Sequence, residues 1–206
     1  MKEKGASQMN YTAAVKQYCI DYAGTILDVA YVHEHFFPLI NYRTFLKILK
    51  RLESDGIIIP IAKGVYSIGA VDIDIAILDF YTANFNGMII GDKLFSELGL
   101  ISQVSPHVDI YTNRLPSSKS KNVKNYRLTG VDLVFDKTTV RLITLLELIE
   151  NRSKLVNLNQ IAYMNARHSF AGSFPEETLE EVARAIPYQA GTIELVRTNG
   201  GRIIGL

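Results

Sequence analysis

Arg43, Thr44, Lys47, Lys50 and Arg51 recur at spacings of three and four within NYRTFLKILKRLESDGIIIPIAKGVYSI, the stretch from Asn41 to Ile68. At about 100° per residue these side chains share one face of a helix, and Tyr42, Phe45, Ile48, Leu49 and Leu52 fall on the other. No acid interrupts the cationic face before Glu53. Guanidinium and ammonium groups so arranged do no covalent chemistry, but they neutralise and hydrogen-bond phosphates. Arg43 and Thr44, at the N-terminal end, would reach deepest into a major groove. The competing reading is a solvated helix face, where Lys and Arg commonly sit.

The flanking elements must hold that face in place. Asn41 is suited to cap the helix N-terminus, because its side-chain oxygen can accept a free backbone N–H. Gly56 stands where a left-handed residue ends a helix. Upstream, Thr12 to Ala23 has helical spacing in Ala14, Tyr18 and Tyr22, and Gly24 ends it. A second helical segment is expected over Ile26 to Phe36, with Pro38 breaking the chain before the basic helix. Downstream, Ile57 to Ile61 and Val65 to Ile68 are β-prone runs around Ala62-Lys63-Gly64, a hairpin with Lys63 at its tip. Three helices and a hairpin make residues 1–70 an expected winged helix-turn-helix.

Residues 71–206 read as a mixed α+β domain, so the expected class of the whole chain is α+β. Asp74 to Thr82 fits a strand or a helix, with a helix capped by Asp72 or Asp74 preferred, and helices are expected over Asp92 to Leu98, closed by Gly99, over Thr138 to Asn151, and over Pro175 to Ala185. Gly87 to Ile90 reads as a buried strand, and VDIYT, NYRL and VDLVF between Val108 and Phe135 as brief strands. Thr192 to Leu206 reads as a β-type segment with a turn at Asn199-Gly200-Gly201.

A second set of cations lies between Asp109 and Asp132, where no acid occurs. Arg114, Lys119, Lys121, Lys124 and Arg127 could form another phosphate-binding surface or meet an acidic partner. The alternative is a polar loop, LPSSKSKNVKN, running between strands. Catalytic signatures are sparse: no phosphate-binding G-x-x-x-x-G-K-[ST] loop, G-x-S-x-G elbow or H-E-x-x-H helix occurs. His33 and His35 flank Glu34, but a spacing of two on a helix separates the imidazoles. Asp132 and Asp136 would share one face of a strand over VDLVF, with Lys137 adjacent, which leaves open a metal-dependent nuclease centre. The expectation is no catalytic residue, no metal and no cofactor.

Composition sets outer limits. The 206 residues, 48% hydrophobic and 21% charged, suit two modest domains with cores. A net charge of +1 confines any nucleic-acid affinity to a local patch. Cys19 is the one cysteine, so no intrachain disulfide or multi-cysteine zinc site forms. It reads as a small buried residue. MKEKGASQMNY lacks a hydrophobic signal core, and no apolar run approaches a membrane span, so a cytoplasmic protein without membrane contact is expected.

RLESDGIIIPIAKGVYSIG, followed by GMIIGDKLFSELGLISQVSPHVDIYTN, resembles the AbiEi-type antitoxins of abortive-infection toxin–antitoxin systems and related bacterial proteins. The shared residues are Leu52, Gly56, Gly64, Val65 and Tyr66, then Gly91, Leu98, Gly99, Leu100 and Gln103, within a span from about Leu46 to Leu155. One departure is Pro60, where that family often has a basic residue in the first wing strand, which leaves Lys63 as the main wing cation. The resemblance implies a DNA-binding autorepressor acting on double-stranded DNA of its own promoter. It also implies an antitoxin opposing a nucleotidyltransferase-like toxin functionally rather than through a stable complex. The alternative is a module that uses its winged helix for protein contacts without DNA.

Overall fold

The computed structural model describes residues 10–103 and 105–201. The chain is α+β and divides into two compact units, Met1–Phe80 and Tyr81–Leu206.

In the first unit the order is α1 (Tyr11–Asp21), β1 (Ile26–Asp28), α2 (Val29–Phe36), α3 (Tyr42–Ser54), β2 (Ile58–Ala62) and β3 (Val65–Ile68). The segment expected as one helix over Ile26 to Phe36 is split. Ile26, Leu27 and Asp28 pair antiparallel with Ser67, Tyr66 and Val65, so the strand partner overrides local helix propensity there. Asp28 then starts α2: fully buried, its Oδ1 accepts from the Ala30 N–H at 3.2 Å, while Val29 N–H donates to the Gly64 carbonyl at 3.0 Å. The sheet order is β1-β3-β2, with β2 outermost and a register shift between Pro60 and Ala62. Val15, Val32, Phe45, Leu49, Leu52 and Ile58 from all these layers form one apolar core. Cys19 lies in it, and burial pushes its thiol up to about 11.

A further helix, α4 (Ile73–Thr82), carries the chain from the first unit into the second, and Asp72 Oδ1 accepts from the Asp74 and Ile75 N–H groups at its start. The second unit continues with β4 (Gly87–Ile90), α5 (Gly91–Glu97), β5 (Val108–Thr112), β6 (Ser120–Val123), β7 (Tyr126–Gly130) and α6 (Lys137–Asn151). A short 3-10 turn at Arg152–Lys154 leads to α7 (Gln160–Phe170), α8 (Glu176–Ala185) and α9 (Ala190–Asn199). Its sheet runs β4-β5-β7-β6, with β5 and β7 parallel and the outer pairs antiparallel. Helix α6 is its central post: Leu142, Ile143, Leu145, Leu146 and Leu148 are fully buried, and α7, α8 and α9 pack against it.

Several expectations are corrected. VDLVF is extended but not a strand: Val131, Leu133 and Phe135 are buried and alternate with exposed Asp132 and Val134, yet no ladder forms. The loop expected around Lys121 contains strand β6. The β-type ending is helix α9 over Ala190–Asn199, closed by Gly200 in the left-handed region at φ +61°, and residues 202–206 lie outside the described residues. Helix α7 has no counterpart in the sequence reading. No helix among the described residues is long and apolar enough to cross a membrane.

Candidate nucleic-acid interface

Helix α3 has the boundaries its caps dictate. Asn41 Oδ1 accepts from Arg43 N–H at 3.0 Å, and Gly56 adopts φ +70° just beyond the last turn. Phe45, Ile48, Leu49 and Leu52 are at most 4% exposed and anchor the helix to the core. Arg43, Thr44, Lys47, Lys50 and Arg51 are all exposed. Arg43, Lys47 and Arg51 have no ion-pair partner among the described residues, and Lys50 makes one loose contact, 3.7 Å from Glu53. The anchored face thus leaves a row of uncompensated cations pointing to water. Lys63 is exposed on the tight connection from β2 to β3, where Gly64 takes φ +71°.

Tyr42 departs from expectation. It begins the helix at the rim of the apolar side and is 46% exposed, its ring edge-on to His33 at 5.0 Å. His33 donates from Nε2 to the Ile40 carbonyl at 2.7 Å and His35 from Nδ1 to the Tyr31 carbonyl at 2.9 Å, so the two imidazoles serve separate local roles.

Residues that helical spacing does not single out join the cationic face. Asn10, Tyr11 and Thr12, at the start of α1, line a groove of about 450 Å³ together with Thr44, Lys47 and Arg51. Asn10 caps α1, its Oδ1 accepting from Ala13 N–H at 3.1 Å, and the N–H groups of this first turn point out of the helix end. Helix N-termini favour anions, so the groove combines two cations, three hydroxyl-bearing side chains and a positive dipole end. The Asn10-Tyr11-Thr12 run before an amphipathic segment was the available signal.

The five cations of the second basic set differ in exposure and in pairing. Arg127 is clamped by Asp109 through two bonds, Nε to Oδ1 and Nη2 to Oδ2, each 2.7 Å. Strand pairing explains this: Asp109 on β5 stands opposite Arg127 on β7. Arg114 and Lys121 are half-buried, while Lys119 and Lys124, flanking β6, are exposed, as is Arg127 on the paired strand. Asp132 and Asp136 line one pocket together with Asn113, Thr139, Glu181 and Arg184, although neither lies on a strand. Asp136 instead caps α6, accepting from Thr139 N–H at 2.8 Å, and this bond holds its carboxyl below the usual range. Among the described residues no group of three or more His, Cys, Asp or Glu is placed to hold a metal ion.

Glu147 on α6, not singled out by the sequence reading, is 5% exposed. Tyr188 Oη donates to its Oε1 at 2.8 Å and Asn151 Nδ2 to its Oε2 at 3.1 Å. Burial pushes the Glu147 carboxyl upward despite the Tyr188 bond, and burial with the Glu147 charge pushes the Tyr188 phenol well up. These groups tie α6 to the chain entering α9, and Glu150 adds Thr192 Oγ1 at 2.6 Å.

No protein-family profile matches this chain, and no curated protein matches it.

Proposed function

We propose that the first unit is a winged helix-turn-helix that binds double-stranded DNA, with α3 as the helix that enters the major groove. The observation that carries the reading is the row of exposed Arg43, Lys47 and Arg51 side chains, without carboxylate partners among the described residues, on a helix whose other face is buried. The order helix–strand–helix–helix–strand–strand supports it. Thr44, Lys50 and Lys63 extend the contact surface, with Lys63 on the wing reaching the adjoining backbone. Lys119 and Lys124 of the second unit are left as a minor basic surface. The resemblance to AbiEi-type antitoxins extends the proposal to repression of the protein's own promoter and to functional antagonism of a nucleotidyltransferase-like toxin.

The test is fluorescence anisotropy with DNA from upstream of the gene, over a salt series and against unrelated competitor. Each phosphate contact contributes about −0.9 to the slope of log affinity on log salt. Lys47→Ala with Arg51→Ala is therefore expected to flatten the slope by roughly 1.8 and to weaken binding, with the melting curve unchanged because both side chains are exposed. Binding without preference over competitor, or a double variant equal to wild type, would overturn the reading. Toxin antagonism is checked separately, by growth rescue on co-expression with such a toxin.

A second reading, protein contacts through the same head, is favoured by Tyr22 and Phe36, each 41% exposed with rings 5.7 Å apart. Partner binding that ignores salt, with no DNA binding, distinguishes it.

A further inference from the structure

The leading half of α3 is not purely cationic. Tyr42 is 46% exposed and Leu46 41% exposed, four residues apart on one flank, and Leu39, in the turn just before the helix, is 84% exposed. Single exposed apolar residues are ordinary on a surface. Here three fall within eight residues, interleaved with Arg43 and Lys47 at the helix end expected to go deepest.

The side chains present restrict what this end can read. Bidentate recognition of adenine uses both polar atoms of Asn or Gln, and the Oδ1 atoms of Asn41 and of the neighbouring Asn10 are taken by the Arg43 and Ala13 N–H groups they cap. Cytosine is read through its amino donor by a carboxylate. The only acid on α3 is Glu53, in its last turn and 3.7 Å from Lys50 Nζ. Arg43 retains guanine, whose two acceptors suit a guanidinium. The remaining feature of the major groove is the thymine C5-methyl group, its one apolar projection. A Leu side chain flanked by cations matches it: the cations hold the backbone while the methyl is removed from water.

We propose that Leu46, with Tyr42 beside it, reads thymine methyl groups, so that the preferred site places thymine opposite the first two turns of α3. This rests on the DNA reading of α3. Tyr42 is pre-positioned for the role, since His33 supports its ring edge-on and is itself bonded to Ile40.

The experiment selects preferred duplexes from a random library with the full-length protein, then replaces thymine by deoxyuridine one position at a time. The change deletes one methyl group and leaves every hydrogen bond intact. At one or two positions wild type is expected to bind the uracil duplex roughly fourfold more weakly, the worth of one buried methyl. Leu46→Ala is expected to lose that factor on the thymine duplex and to bind both duplexes equally, with an unchanged melting curve. Tyr42→Phe, which keeps the ring, is expected to retain the difference. Lys47→Ala is expected to weaken both duplexes alike. Equal wild-type affinity for thymine and uracil at every position would overturn the inference while leaving DNA binding standing. Persistence of the difference in Leu46→Ala would overturn the assignment to Leu46, and failure to bind any duplex would overturn the α3 reading itself.

Discussion

Glu147 sits where its charge is costly: 5% exposed, with Tyr188 and Asn151 as its hydrogen-bond donors. Burial is the largest influence on its carboxyl, followed by the opposing Tyr188 bond, then Glu150, with Lys154 and Asp109 acting in opposite directions. The folded protein therefore holds this proton more tightly than the unfolded chain. A raised carboxyl contributes stability below its ordinary value near 4.5 and loses it as pH rises through the folded value. Glu147→Gln mimics the protonated form at every pH. It is expected to be the more stable protein at about pH 8, by on the order of 1 kcal/mol, with the difference closing by about pH 4. Paired thermal melts across that range check it, and a wild type that is the more stable partner at high pH would refute the account. Asp136 shows the contrasting case, an exposed carboxylate whose ionised form is favoured by the helix N-terminus it caps.

At the scale of elements, what ends α3 matters as much as what fills it. Gly56 at φ +70° has open space around its missing Cβ, so the cost of a side chain there is backbone conformation alone. Gly56→Ala is expected to destabilise by about 1 kcal/mol without loss of DNA affinity, as read by urea titration and anisotropy. That residue, the Asn41 cap and the buried stripe of α3 were legible because each acts locally. The errors arose where distant neighbours decide. Alternation over Val131 to Phe135 correctly marks which side chains are buried. Pairing, however, needs a free neighbouring backbone, and the segment is held instead by isolated bonds such as Val131 N–H to the Thr112 carbonyl at 2.9 Å. Strand β6 is polar because it lies at the sheet margin with Val123 as its buried residue, so no alternation announces it. Helix α9 is rich in Thr, Ile and Val, and reads as β until Ile193 and Val196 are seen packed in the core with α6. Of the candidate interface, the cations were legible and the contribution from Asn10 to Thr12 was not, since that groove exists only once α1 lies beside α3.

At the scale of the molecule, a net charge of +1 means that the whole chain's field does little to draw it to nucleic acid. The proposed DNA binding therefore rests on the local row on α3, and its expected salt dependence is attributable to a few named side chains. The same holds for self-association, where the outer strand β2 has a consequence. Ile58, Ile59, Ile61 and Ala62 would make a flat apolar margin, and Ile59 is 43% exposed. Such a margin invites a strand from another copy, the first step toward aggregation. Pro60 removes an N–H from the middle of it, and the shift in register beside Pro60 bends it. Pro60→Val is therefore expected to raise light scattering with concentration where wild type stays monodisperse, and a variant as well behaved as wild type would dismiss the idea. On this view Pro60 exchanges one outward N–H for a sheet edge that is a poor template for another copy's strand.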